Sequence, residues 1–280
     1  MTPEAATTTT DQSWRAAKLT NTEALERWPL GDVLRDIARG GLAGLLVGVI
    51  VAGLGGRVVM RIAALVVPSA TGAFTDNGNR IGNITFGGSL GLIVFVGLLA
   101  GIIFAVVWVV ISPWLPGKGV VRGLVAVPLA VAIGAFGLID RDNRDFAVLG
   151  HDPLVVVSLL ALVALVAPAM ALADEWLDRR LPYAKSRNSV ATSGYLVLTV
   201  IGLVLGGLLI LQAAGGRESQ PLGITTIGAG FVTLAWWYQR IGGRTSPSRV
   251  LRIAGGSILI LGTVAGYILL IPHVTSALGG

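Results

Sequence analysis

Residues 40–67 read GGLAGLLVGVIVAGLGGRVVMRIAALVV, and this stretch decides the class of the fold. It is an apolar run long enough to cross the hydrocarbon core of a bilayer, which takes about 20 residues of α-helix. Only Arg57 and Arg61 interrupt it. A charged side chain is costly inside a bilayer, so both arginines need a partner, a wet cavity or a position near the membrane surface.

The rest of the chain has the same apolar character. Of its 280 residues, 54% are hydrophobic and 13% are charged, and the mean hydropathy is +0.78. Charged residues make up about 25% of an ordinary soluble domain. We therefore predict an all-α fold, a polytopic transmembrane helical bundle. Seven spans are expected, at about 40–67, 89–112, 119–139, 153–173, 195–214, 221–238 and 250–274.

The sixth span is the least apolar of the seven, and without it the count is six. It has only about 17 residues of suitable polarity, close to the lower limit for crossing a bilayer. It also carries Thr225, Thr226 and Thr233.

The distribution of positive charge predicts the orientation. With an N-terminus inside, 15 of the 21 Lys and Arg residues fall in the N-terminal segment and in the second, fourth and sixth connections. Positive residues concentrate on the cytoplasmic side of short connections, and Trp and Tyr favour the membrane interface. Trp114, Trp176 and Trp237 lie at those same ends of spans. Both patterns predict an N-in, C-out arrangement.

Two regions are expected along the chain. Residues 1–31 are polar, include the run TTTT, and are predicted to form a disordered cytoplasmic segment. Residues 32–280 form the transmembrane helical domain. The stretch DVLRDIAR, residues 32–39, is either a short amphipathic helix on the inner membrane surface or a charged flank that orients the first span.

Small residues recur at every fourth position of the first span. Such a stripe lets another helix approach closely, which matters because there is little hydrophobic drive between helices in lipid. The partner is either a helix of the same chain or another membrane subunit, and the first span is the better candidate for an outside partner. The helix-packing stripe consists of Gly40, Gly44, Gly48, Ala52 and Gly56.

The connection after the third span supplies candidate partners for the two arginines. It reads DRDNRDFAVLGHDP, residues 140–153, and is predicted on the same side as the outer end of the first span. Arginine binds carboxylates with two parallel hydrogen bonds, so a charged network at the outer edge is expected. The alternative is that both arginines reach lipid headgroups while the aspartates stay solvated. The candidate network, which is also a candidate mouth for an anionic ligand, consists of Arg57, Arg61, Asp140, Asp142, Arg144 and Asp145.

Few residues offer other chemistry. The two histidines, His151 and His273, lie on different spans at the predicted outer edge. Such a pair is able to ligate a haem or chlorin axially, but no second motif supports it. Cysteine is absent, and the sequence contains no G-x-S-x-G, H-E-x-x-H or P-loop motif. We therefore expect no metal site and name no catalytic residues. A non-catalytic role is favoured, and an enzyme that uses the outer Asp and Arg residues on a lipid-linked substrate stays open, although no spacing identifies a reaction.

Three stretches resemble a known group of sequences. GGRVVMRI, DNGNRIGNITFGG and RDFAVLGHDPL are similar to elements of uncharacterised bacterial multi-span membrane proteins. The resemblance covers roughly residues 50–155. It implies a shared fold in a bacterial plasma membrane and brings no activity or site residues with it.

The expected function is that of a non-catalytic accessory or structural subunit of a larger membrane assembly. Its partners would be the lipid bilayer and other membrane subunits or further copies of the chain, and not nucleic acid. The first alternative is a transporter or channel for a small or anionic solute, with Arg57 and Arg61 at its outer mouth. A less favoured alternative is an electron-transfer subunit that uses the two histidines to hold haem or a pigment.

Overall fold

The computed structural model describes most of the chain from Trp28 onward. The described ranges are residues 28–75, 78, 80–82, 86–135, 138–139, 144–149, 152–183, 190–215 and 220–278. Their regular structure is helical, and the β pairing in these ranges is one isolated bridge between Phe74 and Arg80. The prediction of an all-helical fold is confirmed.

Eight helices are described, and seven of them are long. They are α1 (Pro29–Val66), α2 (Phe86–Trp114), α3 (Gly119–Gly134), α4 (Arg144–Leu149), α5 (Pro153–Arg180), α6 (Val190–Gly215), α7 (Gln220–Ile241) and α8 (Arg249–Leu278).

Five of these helices are long and apolar enough to cross a membrane. They are α1, α2, α5, α6 and α8. Helix α3 is apolar but has only 16 residues. Helix α7 has 22 residues but is not among the five, and it contains the three threonines that weakened the sixth predicted span. The helices are those of a membrane protein.

Consecutive long helices run in opposite directions. Near the start of α1, Arg39 contacts Asp174 near the end of α5. Further along α1, a Cβ atom at Gly55 would touch Leu162, twelve residues earlier in α5. The bundle therefore has a basic end, around Arg39, and a loop end, around Ala70, Ile81 and Phe146, whose side chains pack in one apolar cluster.

The helix-packing stripe faces α2 within the same chain. A Cβ atom at Gly40 would lie 2.5 Å from Val109 Cγ2, and one at Gly44 would lie 2.5 Å from the backbone nitrogen of Ala105. A Cβ at Gly48 would overlap the backbone of Gly101. This face of α1 is therefore occupied, which corrects the expectation that it is the better candidate for an outside partner.

The closest part of this contact is π-helical in both helices. Residues Gly48–Gly55 of α1 and Leu92–Gly97 of α2 widen to π-helix and pack against each other. π-Helical turns are rare and are often found at functional sites. Both segments contribute side chains to a large internal cavity, among them Val51 and Val96.

Helix α1 begins eleven residues before the first predicted span. It starts at Pro29, and DVLRDIAR forms its early turns rather than a separate surface helix. Leu34 and Ala38 pack there against Tyr195 of α6. The charges of these turns are tolerated inside the bundle because aspartates of α5 lie opposite them. Of the polar segment 1–31, residues 1–27 lie outside the described residues.

One buried hydroxyl ties α2 to α7. Thr233 is fully buried, accepts a hydrogen bond from Trp114 Nε1 at 2.8 Å and donates one to the Val110 carbonyl at 2.7 Å. Hydrogen bonds between helices stabilise membrane bundles modestly, by about 1 kcal/mol. The threonine that lowers the hydropathy of α7 thus has a structural role in its packing.

Candidate functional site at the basic end

The first element of the site is a set of charged side chains that joins three helices. Helix α1 presents Arg35, Asp36 and Arg39 over a single turn, and the last turns of α5 present Asp174 and Asp178. Residues four apart lie on one face of a helix, so the two arginines meet the two α5 aspartates in register. We call Arg35, Asp36, Arg39, Asp174, Asp178 and Arg240 of α7 the ion-pair network.

Arg35 closes the end of α5. Its guanidinium, only 3% exposed, donates from Nη1 to Asp178 Oδ1 at 2.8 Å and from Nη2 to the Asp178 carbonyl at 2.6 Å. Nε and Nη2 also donate to the Leu181 carbonyl, at 3.3 and 3.1 Å. The last carbonyls of a helix have no N–H partner within the helix. Arg35 supplies donors to the carbonyl of Asp178, in the last turn of α5, and to that of Leu181, just after it. The ring of Tyr183 covers the guanidinium, with 4.3 Å from Cζ to the ring centroid.

Arg39 lies at the centre of the ion-pair network. Its Nε donates to Asp174 Oδ1 at 2.7 Å, and its Nη1 donates to Asp178 Oδ1 at 2.6 Å. Asp36 Oδ1 lies 3.6 Å from the same Nη1. On the other side, Asp36 Oδ2 accepts a short hydrogen bond from Arg240 Nη1. The network therefore fixes α1, α5 and α7 to one another at this end.

A polar cavity lies beside the ion-pair network. Its volume is about 140 Å³, and α1, α2, α3, α5 and α7 contribute its walls. Four charged residues of the network line it, and Arg122 of the first turn of α3 adds another cation. The lining residues used below are Asp36, Arg39, Trp108, Arg122, Asp174 and Arg240.

A second, larger cavity is almost entirely apolar. Its volume is about 450 Å³, and it lies between α1, α2, α3 and α5. Along α2 its lining runs from Leu92 to Ile111, which corresponds to about 28 Å of helix at 1.5 Å per residue. The lining extends to Thr75 and Leu138 at the loop end. The cavity is thus nearly as long as the hydrocarbon core is thick, about 30 Å.

Trp108 belongs to both cavities. Its indole ring is 3% exposed, and its Nε1 has no hydrogen-bond partner among the described residues. Cδ1, the atom bonded to Nε1, would lie 3.8 Å from a Cβ atom added at Gly40. Gly40 lines the polar cavity and does not line the apolar one. The Cδ1–Nε1 edge of the ring therefore lies beside Gly40 in the wall of the polar cavity, and the nitrogen itself is covered by protein atoms.

The arginines that interrupt the first apolar run lie at the opposite, loop end. Arg57 is buried, and Arg61 is exposed and donates from Nη1 to the Gly82 carbonyl at 2.8 Å. Helix α4 packs beside them, with Phe146 and Leu149 in the same apolar cluster as Val59. Helix α4, the described part of this connection, thus lies at the same end of the bundle as the arginine pair.

The proposed partners of Arg57 and Arg61 are not described. Asp140 and Asp142 lie outside the described residues, as do the side chains of Arg144 and Asp145. The charged network at this edge therefore stays a prediction.

The histidines offer no ligand set in the described part of the chain. His151 lies outside it, and His273 Nδ1 is 2.9 Å from the Leu269 carbonyl of its own helix. In the ranges described, no three side chains of the kinds that bind metals gather at one place.

The ion-pair network was missed by reading the sequence. Arg35 and Arg39 were counted only as positive charge that orients the first span, and Asp174 and Asp178 were not singled out. The available signal was complementary spacing: two arginines and two aspartates, each pair four residues apart, near ends of helices predicted on the same side.

Comparisons with protein-family models, with curated proteins and with solved structures gave no match. The resemblance of residues 50–155 to multi-span bacterial proteins therefore stays a prediction.

Proposed function

We propose that this protein is an integral membrane protein that binds an amphipathic, lipid-like molecule inside its helical bundle. The observation that carries the proposal is that a polar and an apolar cavity lie next to each other and share Trp108 as a wall residue. A polar head would occupy the 140 Å³ cavity at the basic end, and an apolar chain would occupy the 450 Å³ cavity that continues along the bundle.

The apolar cavity has the size and lining of a ligand site. Binding cavities for small molecules typically measure about 300–1,000 Å³ and are lined by apolar side chains with a few polar groups. An elongated apolar cavity in a membrane bundle suits an acyl or prenyl chain, because such a chain fills it without burying polar groups that lack a partner. The surrounding bilayer supplies such chains at high local concentration.

The two functions favoured by the sequence fit less well. An accessory subunit was inferred chiefly from the small-residue stripe, whose glycines at 40, 44 and 48 pack on α2 of the same chain. A solute transporter was inferred from Arg57 and Arg61 at an outer mouth. The cavities instead favour a membrane protein that holds, or moves, an amphiphile, and association with other subunits remains compatible with that role.

The orientation that accompanies the proposal is N-in and C-out, with seven spans in a bacterial plasma membrane. The alternating directions of α1, α2, α3, α5, α6, α7 and α8 support this count, with α3 and α7 crossing as part of the bundle. The basic end would then face the cytoplasm.

The proposal is tested by asking which molecules remain bound during purification in a mild maltoside detergent. Mass spectrometry of the purified protein should find an amphiphile at about one copy per chain. Val166→Phe should lower this occupancy strongly, because Val166 lines the apolar cavity and the added ring would fill part of it.

Val157→Phe is the matched control. It makes the same substitution on the same helix, but Val157 is 58% exposed on the surface of the bundle and does not line the cavity. Occupancy should stay at the wild-type level. Equal occupancy in the two variants, or a wild-type protein that retains no amphiphile, would contradict the proposal.

A further inference from the structure

The charges around the polar cavity do not balance. Its lining contains three arginines, Arg39, Arg122 and Arg240, and two aspartates, Asp36 and Asp174. Arg35 and Asp178, just behind, add one charge of each sign, and Asp178 also accepts from Arg39. Glu175 does not line the cavity, and its carboxylate pairs with Arg179 at 3.7 Å. The cavity therefore carries one surplus positive charge.

Arg122 is the source of this surplus. Its Nε donates to the Gly117 carbonyl at 3.2 Å, which holds the side chain at the start of α3. It interacts electrostatically with Asp174, but that carboxylate is already bonded to Arg39. Within the described residues no ion pair is formed by Arg122, so both of its terminal nitrogens are available to a ligand in the cavity.

Trp108 supplies an independent observation. A buried indole N–H without an acceptor costs free energy, and buried donors are nearly always paired. The ring lines the polar cavity and its nitrogen edge lies beside Gly40 of the same wall, so an acceptor bound in the cavity would satisfy the N–H once a small movement of the ring uncovers it. An anionic oxygen satisfies both groups at once, since it accepts from the Trp108 N–H and neutralises the guanidinium of Arg122.

We propose that the polar cavity binds an anionic head group of the phosphate class, with Arg122 providing the charge and Trp108 Nε1 a hydrogen bond. This inference rests on the proposed function for the source of the head group, a lipid-like molecule. The size agrees: a cavity of about 150 Å³ holds one benzene molecule, so 140 Å³ accommodates a phosphate but not a large glycan.

The test follows the indole N–H signal of Trp108 by NMR in ¹⁵N-labelled protein in maltoside micelles. The chain has seven tryptophans, and Trp108→Phe identifies the signal by its loss. Three probes are titrated: lysophosphatidic acid, a monoacylglycerol with the same chain, and inorganic phosphate. Lysophosphatidic acid should shift the Trp108 signal, and the other two should bind at least about tenfold more weakly.

Arg122→Gln should weaken lysophosphatidic acid binding by about tenfold or more, because a charge-assisted hydrogen bond is lost. Arg252→Gln is the control, because it removes an exposed arginine at the same end of the bundle. Arg252 is the fourth residue of α8, just as Arg122 is the fourth residue of α3. It should leave the affinity unchanged. A midpoint of thermal unfolding equal to that of the wild type would show that the Arg122→Gln variant is folded. Trp108→Phe should also weaken lysophosphatidic acid binding, measured by isothermal titration calorimetry.

The three probes separate the two proposals. If the monoacylglycerol bound as tightly as lysophosphatidic acid, the proposal of an anionic head group would be overturned, and the proposal that the bundle binds an amphiphile would stand. Inorganic phosphate binding as tightly would keep the anion site and overturn the need for a chain. No response of Trp108 to any probe would overturn both.

Discussion

Arg39 and Asp174 form the most buried ion pair of the basic end. Their side chains are 17% and 8% exposed, and the Nε to Oδ1 distance is 2.7 Å. Arg39→Met should lower the free energy of unfolding by about 3 kcal/mol, because it removes the hydrogen-bonded counter-charge of the buried Asp174. Asp174→Leu should lower it by less, because Asp178 still accepts from Arg39. The double variant should lose much less than the sum, which denaturant unfolding in detergent would measure as a coupling energy.

The neighbouring pair Glu175 and Arg179 is the control for this cycle. Its side chains are 44% and 72% exposed, and the shortest distance is 3.7 Å. Solvent screening should leave this pair with almost no coupling energy. Similar coupling in the two pairs would show that burial at the basic end does not strengthen the interaction.

Sequence reasoning found costly charges but not their partners. Arg57 and Arg61 stand out because an apolar run surrounds them, whereas Arg35 and Arg39 look like an ordinary basic flank. Asp174 lies 135 residues after Arg39, and no local pattern connects the two. Their matched i, i+4 spacing becomes informative only once α1 and α5 are known to be neighbours. The unsatisfied nitrogen of Trp108 is likewise invisible without coordinates.

At the level of secondary-structure elements, the α1–α2 contact depends on a missing side chain at Gly48. Gly48→Ala should destabilise the bundle, because a Cβ atom there would overlap the backbone of Gly97 and Gly101, which cannot move aside as a side chain can. We expect a lower midpoint of thermal unfolding and a loss of about 1–3 kcal/mol, as for other overpacked sites.

Gly41→Ala separates this effect from helix propensity. Gly41 is also in α1, but nothing lies within 4 Å of its Cβ position. Alanine favours a helix over glycine by about 1 kcal/mol, so this variant should be as stable as the wild type or more stable. The prediction is wrong if Gly48→Ala and Gly41→Ala raise stability alike.

The elements were more predictable than their ends. Runs of apolar residues located every long helix, because a helix in lipid must satisfy its own backbone and present apolar side chains. The beginning of α1 was misjudged because Arg35, Asp36 and Arg39 look like a solvated segment until Asp174 and Asp178 compensate them. Pairing between helices, not local composition, sets that boundary.

At the scale of the whole molecule, alternating helix directions predict which connections share a compartment. The chain has no cysteine, so single cysteines are introduced at exposed positions. Lys118→Cys and Thr245→Cys, at the basic end, should react with a membrane-impermeant maleimide from one side of the membrane. Thr71→Cys and Leu138→Cys, at the loop end, should react only from the other.

Each of the two short or polar helices is tested by one of these positions. Leu138→Cys would label with Lys118→Cys if α3 did not cross the membrane. Thr245→Cys would label with Thr71→Cys if α7 did not. Either result would overturn the count of seven spans, and the second would also remove Arg240 from the compartment of Arg39.

The general arrangement follows from charge bias, whereas the cavities do not. Lys and Arg along the chain indicate which connections lie together. The volumes near Trp108 depend on which helices become neighbours, and α3 packs mainly on α5 and α8 rather than on its predecessor α2. Such contacts join residues far apart in sequence, so a single sequence without its fold does not reveal the empty space between them.

The link between α1 and α5 also has a consequence for biosynthesis. Asp174 leaves the ribosome 135 residues after Arg39. At about 5–20 residues per second, roughly 7 to 27 s of translation separate the two. During that interval Asp36 of the same helix is a counter-charge for Arg39, but the α5 aspartates do not yet exist, so the early turns of α1 must wait among lipid phosphates or translocon surfaces. The early turns of α1 therefore reach their final packing only after α5 has been inserted, although α1 is the first of these helices to be synthesised.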